Sequence, residues 1–178
     1  MAKINWSLDP AHSELGFRTK HMMITNVKGR FDKYDVNVET EDNDFTTADI
    51  TVKIDAASVN TGVEQRDGHL RSADFFEAEK YPYLTFHSTR LEKKNDENYV
   101  LAGDFTIKDV THEVKLNVEY GGIIKDPWGN TKAGFTLSGK ISRKEWGLVW
   151  NAALETGGFL VGDDINLNID LELAKPAA

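Results

Sequence analysis

Apolar and polar residues alternate with a period of two through nearly the whole chain, and this pattern constrains the fold more than any other feature. A period of two is typical of half-buried β-strands, whose successive side chains point to opposite faces of a sheet. The pattern recurs at residues 15–19, 27–38, 50–54, 84–88, 99–107, 114–120, 135–141 and 165–173. About eight strands joined by short turns favour an antiparallel meander, which must close into a barrel or fold into a sandwich. We therefore predict an all-β fold.

Two segments depart from this alternation. In the first, residues 66–76 (RDGHLRSADFF), we predict part of a short helix over residues 62–73, although Gly68 lowers the helix propensity. The second, residues 143–162, is rich in large apolar side chains, and we predict a long connection packed over a barrel mouth. Irregular segments at the rim of a sheet often carry function, so these two are the first places to search for a site.

Composition excludes several classes of function. The 178 residues are expected to form a single domain. With 21 Lys and Arg against 29 Asp and Glu, the net charge of −8 argues against a nucleic-acid partner, which needs a basic surface. The chain has no cysteine, which excludes disulfides, thiol nucleophiles and cysteine-ligated metals. No apolar stretch approaches the ~20 residues of a transmembrane helix.

The amino terminus bears on the location of the protein. Residues 1–10 contain no apolar core of a signal peptide and no cleavage site, so the sequence as written predicts a cytoplasmic protein. Removal of a signal peptide from a longer chain would leave the same beginning, and the protein would then be periplasmic.

The residues predicted to face the barrel interior leave two interpretations open. Phenylalanines share this face with Gly29, Gly103 and Gly139. Small residues among aromatic ones would leave room for an apolar tunnel. The same glycines could instead mark bends or bulges in a filled core, and barrels of either kind have this number of strands.

Candidate catalytic groups are sparse. His69 could act as a general base oriented by Asp67, but residues two apart do not face each other on a helix. The remaining histidines, His21 among them, show no metal-ligand spacing, and we predict no metal site. Residues 157–162 (GGFLVG) superficially resemble a phosphate-binding loop but lack its Lys-Ser/Thr ending. We therefore predict no catalytic residue.

Several short motifs occur in a characteristic number and order. They are residues 8–13 (LDPAHS), 29–31 (GRF), 66–70 (RDGHL), 74–76 (DFF), 81–82 (YP), 103–107 (GDFTI), 146–147 (WG) and 161–163 (VGD), together with Phe17, His21, Phe86 and Arg143. With these motifs the chain resembles the YceI-like family, the lipocalin-like polyisoprenoid-binding proteins of bacteria, from about Trp6 to Leu173.

The resemblance implies an extended eight-stranded antiparallel β-barrel with a helix near one end, and an apolar tunnel that takes an isoprenoid chain or another long lipid. It implies a non-enzymatic carrier, often a homodimer, with no cofactor other than the bound lipid. Carried onto this sequence, the tunnel wall would comprise Phe17, Phe31, Phe86, Phe105 and Phe135. Phe76, Trp146 and Trp150 would line or close its ends, and His21 or Arg143 could meet a polar head group.

Two alternatives to the carrier stay open at this point. An enzyme could act on a prenyl lipid in the same cavity, using His69 with Asp67, or His21. A filled barrel could instead serve as an interaction module, although the predicted outer strand faces carry mixed charges with no apolar stripe.

Overall fold

The structure, a computed structural model, describes residues 2–152, 154 and 160–176. It contains β1 (Lys3–Leu8), β2 (Glu14–His21), β3 (Thr25–Phe31), β4 (Tyr34–Glu41), β5 (Asp44–Asp55), β6 (Val59–Asn60), α1 (Glu64–Arg71), β7 (Tyr83–Lys93), β8 (Asn98–Ile107), β9 (Val110–Lys125), β10 (Thr131–Ser142) and β11 (Val161–Ala174). Short 3-10 turns occur at Pro10–His12, Ala56–Ser58 and Arg143–Trp146.

The strands close into an antiparallel barrel of eight strands. The ring runs β1-β4-β5-β7-β8-β9-β10-β11 and returns to β1, where Ser7 pairs with Ala174 and Leu8 with Leu173. The predicted all-β barrel with one short helix is thus confirmed. β1 is a strand that the sequence analysis did not identify, although Ile4, Trp6 and Leu8 carry the same alternation.

Two strands of the barrel are bent. After the turn at Pro10–His12 the chain continues from β1 into β2, and β11 accordingly pairs with both of them. Pro10 has no backbone N–H to donate to the hydrogen-bond ladder of a sheet. The Asp9 carboxylate accepts a hydrogen bond from the Ala11 N–H at 3.2 Å within this turn. β3 runs into β4 after only two residues, so the alternating stretch 27–38 extends over both of these strands.

Residues 56–82 cover one end of the barrel. The chain leaves the sheet after β5, adds β6 to the Phe31 end of β3, forms α1 and returns as β7. The helix is shorter than predicted, because Gly62 has a φ of +86° and Val63 is extended, while Ser72 closes the other end. None of the helices in the described residues has the length and apolar character needed to cross a membrane.

Candidate functional site

The barrel interior holds a cavity with two lobes. Counting the part open to solvent, the space between atoms amounts to about 1060 Å³ in the inner lobe and 1200 Å³ in the outer lobe. The inner lobe has an apolar wall formed by strand residues, among them Leu15, Val36, Val38, Phe45, Phe86, Leu101, Phe135, Leu137 and Leu173. The outer lobe lies at the barrel end where α1, residues 143–150 and Leu160 contribute to its lining. The structure thus favours the cavity over the filled core.

The two lobes adjoin at a waist. Phe17, Phe31, Phe105 and Leu167 each line both lobes, so these side chains lie between them. The rings of Phe17 and Phe31 pack with centroids 5.6 Å apart, and Phe31 meets Phe76 at 5.7 Å. Three of the phenylalanines predicted to line a tunnel therefore lie between the two lobes, whereas Phe86 and Phe135 line the inner lobe and Phe76 the outer lobe.

The glycines predicted to face the barrel interior lie under neighbouring side chains and do not border empty space. A Cβ on Gly29 would collide with the Phe17 ring, and one on Gly103 with the Phe86 ring. Gly29 and Gly103 therefore each let an aromatic ring lie flat against the wall of the barrel, where the ring covers the glycine backbone, whereas Gly139 lies under the Leu116 side chain. Because the rings lie flat, the centre of the barrel stays empty.

Polar groups of the outer lobe are concentrated where it opens. His21, Arg66 and His69 line this end, together with Thr61 and Lys20. Arg66 donates from Nε to the Thr61 hydroxyl at 2.7 Å and from Nη2 to the Thr61 carbonyl at 2.8 Å. These bonds fix the guanidinium at the mouth and leave its Nη1 without a protein acceptor among the described residues.

His69 and Asp67 do not form the pair considered above. The carboxylate that bonds His69 is Asp74, 2.8 Å from Nε2, whereas Asp67 is buried and accepts from the Thr61 N–H at 2.8 Å. The His69 ring contacts Trp150 edge to face at 4.5 Å and Phe75 at 5.1 Å. The imidazole is thus part of an aromatic wall at the mouth.

Arg143 organises the connection over this end. It is only 3% exposed, and its guanidinium donates to the carbonyls of Gly162, Leu148, Trp150 and Val161 at 2.7–3.3 Å. Burial lowers the pKa of Arg143. Arg143 lines the outer lobe, but its bonds to the backbone make it a clamp on the connection, and its contact with a head group stays a prediction.

The two tryptophans of this region occupy different places. Trp150 lines the outer lobe. Trp146 is buried behind Phe105, donates from Nε1 to the Phe105 carbonyl at 2.9 Å and lies outside the lining of both lobes. Trp146 therefore supports the wall without facing the cavity. Residues 157–159 of the glycine-rich stretch lie outside the described residues.

The sequence matches the model of the YceI-like domain over residues 6–173. The chain belongs to the YceI-like family. A UPF0312 protein of Staphylococcus aureus strain N315 is 42% identical over 171 residues, which cover 96% of this chain and 97% of that protein.

Several solved structures share the fold of this chain. The Campylobacter jejuni YceI protein is 38% identical, with a TM-score of 0.76 over 89% of this chain and 90% of the other. Burkholderia cenocepacia BcnA superimposes with a TM-score of 0.80 at 22% identity, over 93% and 98% of the two chains. A polyisoprenoid binding domain from Saccharophagus degradans does so with a TM-score of 0.66 at 17% identity, over 96% and 98%.

Sequence reasoning missed two aromatic residues of this YceI-like cavity. Phe45 lines the inner lobe and packs on Phe135 at 4.9 Å. Phe45 faces the interior although it lies an odd number of residues from the inward-facing Ile50, because the register between β4 and β5 shifts near it. A strict period of two therefore does not identify Phe45 as an inward residue. Phe75 lines the outer lobe beside Phe76, in a segment where no strand period applies.

A polar cluster outside the cavity was also missed. Asp9, His12 and Glu172 bring their ligand atoms within 4.8 Å of one another, although Glu172 is far away in the sequence. Lys132 Nζ lies 2.9 Å from the Asp9 carboxylate and already supplies a cation to it. We interpret the cluster as an ion-pair network that holds the bend between β1 and β2 against β10 and β11.

Proposed function

We propose that this YceI-like chain binds a polyisoprenoid or another long-chain lipid in the barrel without changing it chemically, for storage, transport or sequestration. Polyprenyl phosphates, quinone tails and fatty acids or amides are the ligand classes considered. The observation that carries the proposal is the pair of adjoining lobes inside the barrel: among the described lining residues, the inner lobe is apolar and the polar side chains border the outer lobe.

The hydrophobic effect would supply most of the affinity. Each buried methylene contributes about 0.8 kcal/mol, so a chain that reaches through the waist into the inner lobe needs few polar contacts. The length of the chain would be limited by the depth of the two lobes. Specificity for the head group would be loose by comparison, because the polar side chains of the described lining border the outer lobe alone.

Polar side chains at the mouth suggest how the head group of a lipid would be bound. The Nη1 of Arg66 and the ring nitrogens of His21 and His69 border the outer lobe. They suit an oxygen-bearing head group, whether phosphate, carboxylate, amide or quinone. The name given to the Saccharophagus degradans domain agrees with a prenyl chain as ligand, although at 17% identity the likeness shows the fold alone.

A binding role accounts for the mouth better than catalysis does. His69 is held by Asp74 and enclosed by Trp150 and Phe75, and Asp67 is directed at Thr61. The rival, an enzyme that uses His69 or His21, predicts turnover of a prenyl substrate that disappears in His69→Ala and His21→Ala. Recovery of chemically unchanged lipid after long incubation would exclude it.

Mass spectrometry of a solvent extract tests the proposal directly. Protein purified without detergent should yield a prenyl or fatty species in stoichiometric amount, and native mass spectrometry should show the same mass on the intact protein. Protein that is empty and refuses added prenyl lipids would overturn the proposal in favour of an interaction module.

Variants at the waist test where the ligand lies. Phe105→Trp and Leu167→Trp add an indole from two different strands, and each should block long chains while short ones still bind. Tyr83→Trp adds the same group at an exposed position on β7 and serves as the control. Unchanged uptake of long chains by both folded waist variants would contradict the tunnel.

The homodimer and the cytoplasmic or periplasmic location are further parts of the proposal. Light scattering of the purified protein tests the first, and cell fractionation of the native host tests the second.

A further inference from the structure

The hairpin between β2 and β3 carries an exposed apolar tip. Met22, Met23 and Ile24 are 43%, 63% and 78% exposed. The tip belongs to the mouth of the outer lobe, because the flanking His21 lines that lobe and the Met22 N–H donates to the carbonyl of Leu160, another lining residue. Three large apolar side chains therefore project into solvent beside the opening.

The turn is built from residues that its backbone disfavours. Met22 and Met23 have φ of 53° and 65°, and the Ile24 N–H donates to the His21 carbonyl at 3.2 Å. Two consecutive residues at positive φ are typical of a type I′ turn, in which Asn-Gly is favoured. Placing methionine at both positions costs about 1 kcal/mol or more for each residue, and such strain is commonly retained for function.

The stem of the hairpin is basic in an acidic protein. Residues 15–31 contain Arg18, Lys20, Lys28 and Arg30 and no Asp or Glu, in a chain whose net charge is −8. Arg18 lies directly opposite Lys28 in the β2–β3 ladder, where like charges repel. Arg30 pairs with Asp32 at 2.7 Å, and no carboxylate in the described part of the chain pairs with Arg18, Lys20 or Lys28.

We propose that this hairpin docks the mouth of the barrel on an anionic lipid bilayer. Met22, Met23 and Ile24 enter the boundary between head groups and acyl chains, while Arg18, Lys20 and Lys28 face the lipid phosphates. An apolar face combined with cations is the combination that binds bilayer surfaces. The biological role of this docking rests on the proposed function, because a mouth docked on the bilayer lets a lipid pass into the outer lobe without crossing water.

Charge favours a bilayer over a second copy of this chain as the occupant. A two-fold dimer through the tip would place the same basic stem on both sides of the interface. The cations would then repel one another, whereas an anionic bilayer neutralises them. Val149, also exposed at this end, widens the apolar surface in contact with lipid.

Flotation with vesicles tests the docking. The probes are phosphatidylcholine vesicles with and without phosphatidylglycerol, and we expect wild-type protein to float with the anionic ones and to be released by salt. Lys20→Gln with Lys28→Gln should weaken binding about 25-fold, at roughly fivefold for each cation. Met22→Asn with Met23→Gly should weaken it about tenfold by removing apolar side chains.

The methionine variant is expected to fold normally. Asn-Gly is the preferred sequence for this turn, so the variant should fold at least as stably as the wild type. Trp128→Ser with Ile124→Ser removes exposed apolar residues from the opposite end of the barrel and should leave flotation unchanged.

Three outcomes would overturn the docking. They are wild-type protein that does not float with anionic vesicles, flotation that is unaffected by the methionine and lysine variants, and a dimer in solution that the methionine variant dissociates. Uptake of a soluble short-chain prenol, measured without vesicles, separates this proposal from the proposed function. Normal uptake without flotation defeats only the docking, whereas failed uptake defeats the carrier itself.

Discussion

The ring of Phe17 lies over Gly29, the residue directly opposite it on the neighbouring strand. An aromatic side chain that is free to stand upright would fill the waist of the barrel. Because Gly29 has no Cβ, the ring lies flat against the wall instead. The pair thus shows how a barrel with so many inward phenylalanines keeps an open interior.

Gly29→Ala should both destabilise the protein and narrow the waist. The new Cβ would lie 2.8 Å from Cε2 of Phe17, so the ring must turn toward the cavity. Overpacking of this kind costs about 1–3 kcal/mol. Urea denaturation measures the stability, and uptake of long-chain prenols should fall. Gly134→Ala is the control, because a Cβ there meets nothing within 4 Å. Equal effects of the two substitutions would contradict this account.

Arg143→Met should loosen the connection that covers the mouth. The substitution keeps the length of the apolar stem but removes the donors to four carbonyls. We expect a loss of about 3 kcal/mol in the free energy of unfolding, because the partly buried carbonyls are left unpaired. Lys144→Met removes an exposed ion pair with Asp163 and should cost less than about 1 kcal/mol. A small loss for Arg143→Met in the same denaturation experiment would show that the clamp is not needed.

Acid should destabilise the protein partly through Asp9. Hydrogen bonds from Lys132 and His12 hold the pKa of Asp9 well below its usual value of 3.8. This carboxylate therefore contributes stability that is full above pH 3.8 and is lost as the pH falls toward the folded-state pKa. Asp9→Asn should cost about 1–2 kcal/mol at neutral pH and flatten the acid limb of the stability profile.

Glu172 acts in the opposite sense within the same cluster. Burial and the neighbouring Asp9 raise the pKa of Glu172, so its contribution is present at low pH and is lost as the pH rises through the raised value. The contribution of Asp9 to stability is therefore measured below about pH 4, where most of that contribution is lost. Asp164→Asn, on an exposed pair with Lys140, is the control. Parallel profiles for Asp9→Asn and wild type would refute the assignment.

Tyr34→Phe should be neutral or slightly stabilising. The Tyr34 hydroxyl is buried without a hydrogen-bond partner among the described residues, and burial raises its pKa. Removal of an unsatisfied polar atom should gain up to about 1 kcal/mol. A loss greater than about 1 kcal/mol in thermal or urea unfolding would show that the hydroxyl has a partner, such as a buried water.

Ligand entry should be visible through Trp150. Of the four tryptophans, Trp150 lines the outer lobe, Trp6 and Trp146 are buried, and Trp128 is 83% exposed at the other end. A prenyl chain in the outer lobe should therefore shift the emission of Trp150. Trp150→Phe should abolish the shift and Trp128→Phe should leave it intact. A shift that survives Trp150→Phe would place the ligand elsewhere.

Much of the cavity could be predicted from the sequence because strands impose a local rule. Alternation at Phe17, Phe86, Phe105 and Phe135 depends only on each strand having one buried face, and the structure places all four on the cavity wall. The position of Phe45 could not be predicted in this way, because a register shift changes the phase of its strand.

The sequence by itself determined the all-β class, the single helical interruption and the apolar wall, because these follow from a period of two and its breaks. Tertiary structure alone decided that His69 pairs with Asp74, that Arg143 clamps the connection over the mouth, and that Glu172 joins Asp9. The physical reason is that these contacts depend on barrel closure and loop packing, which join residues whose partners no local pattern specifies.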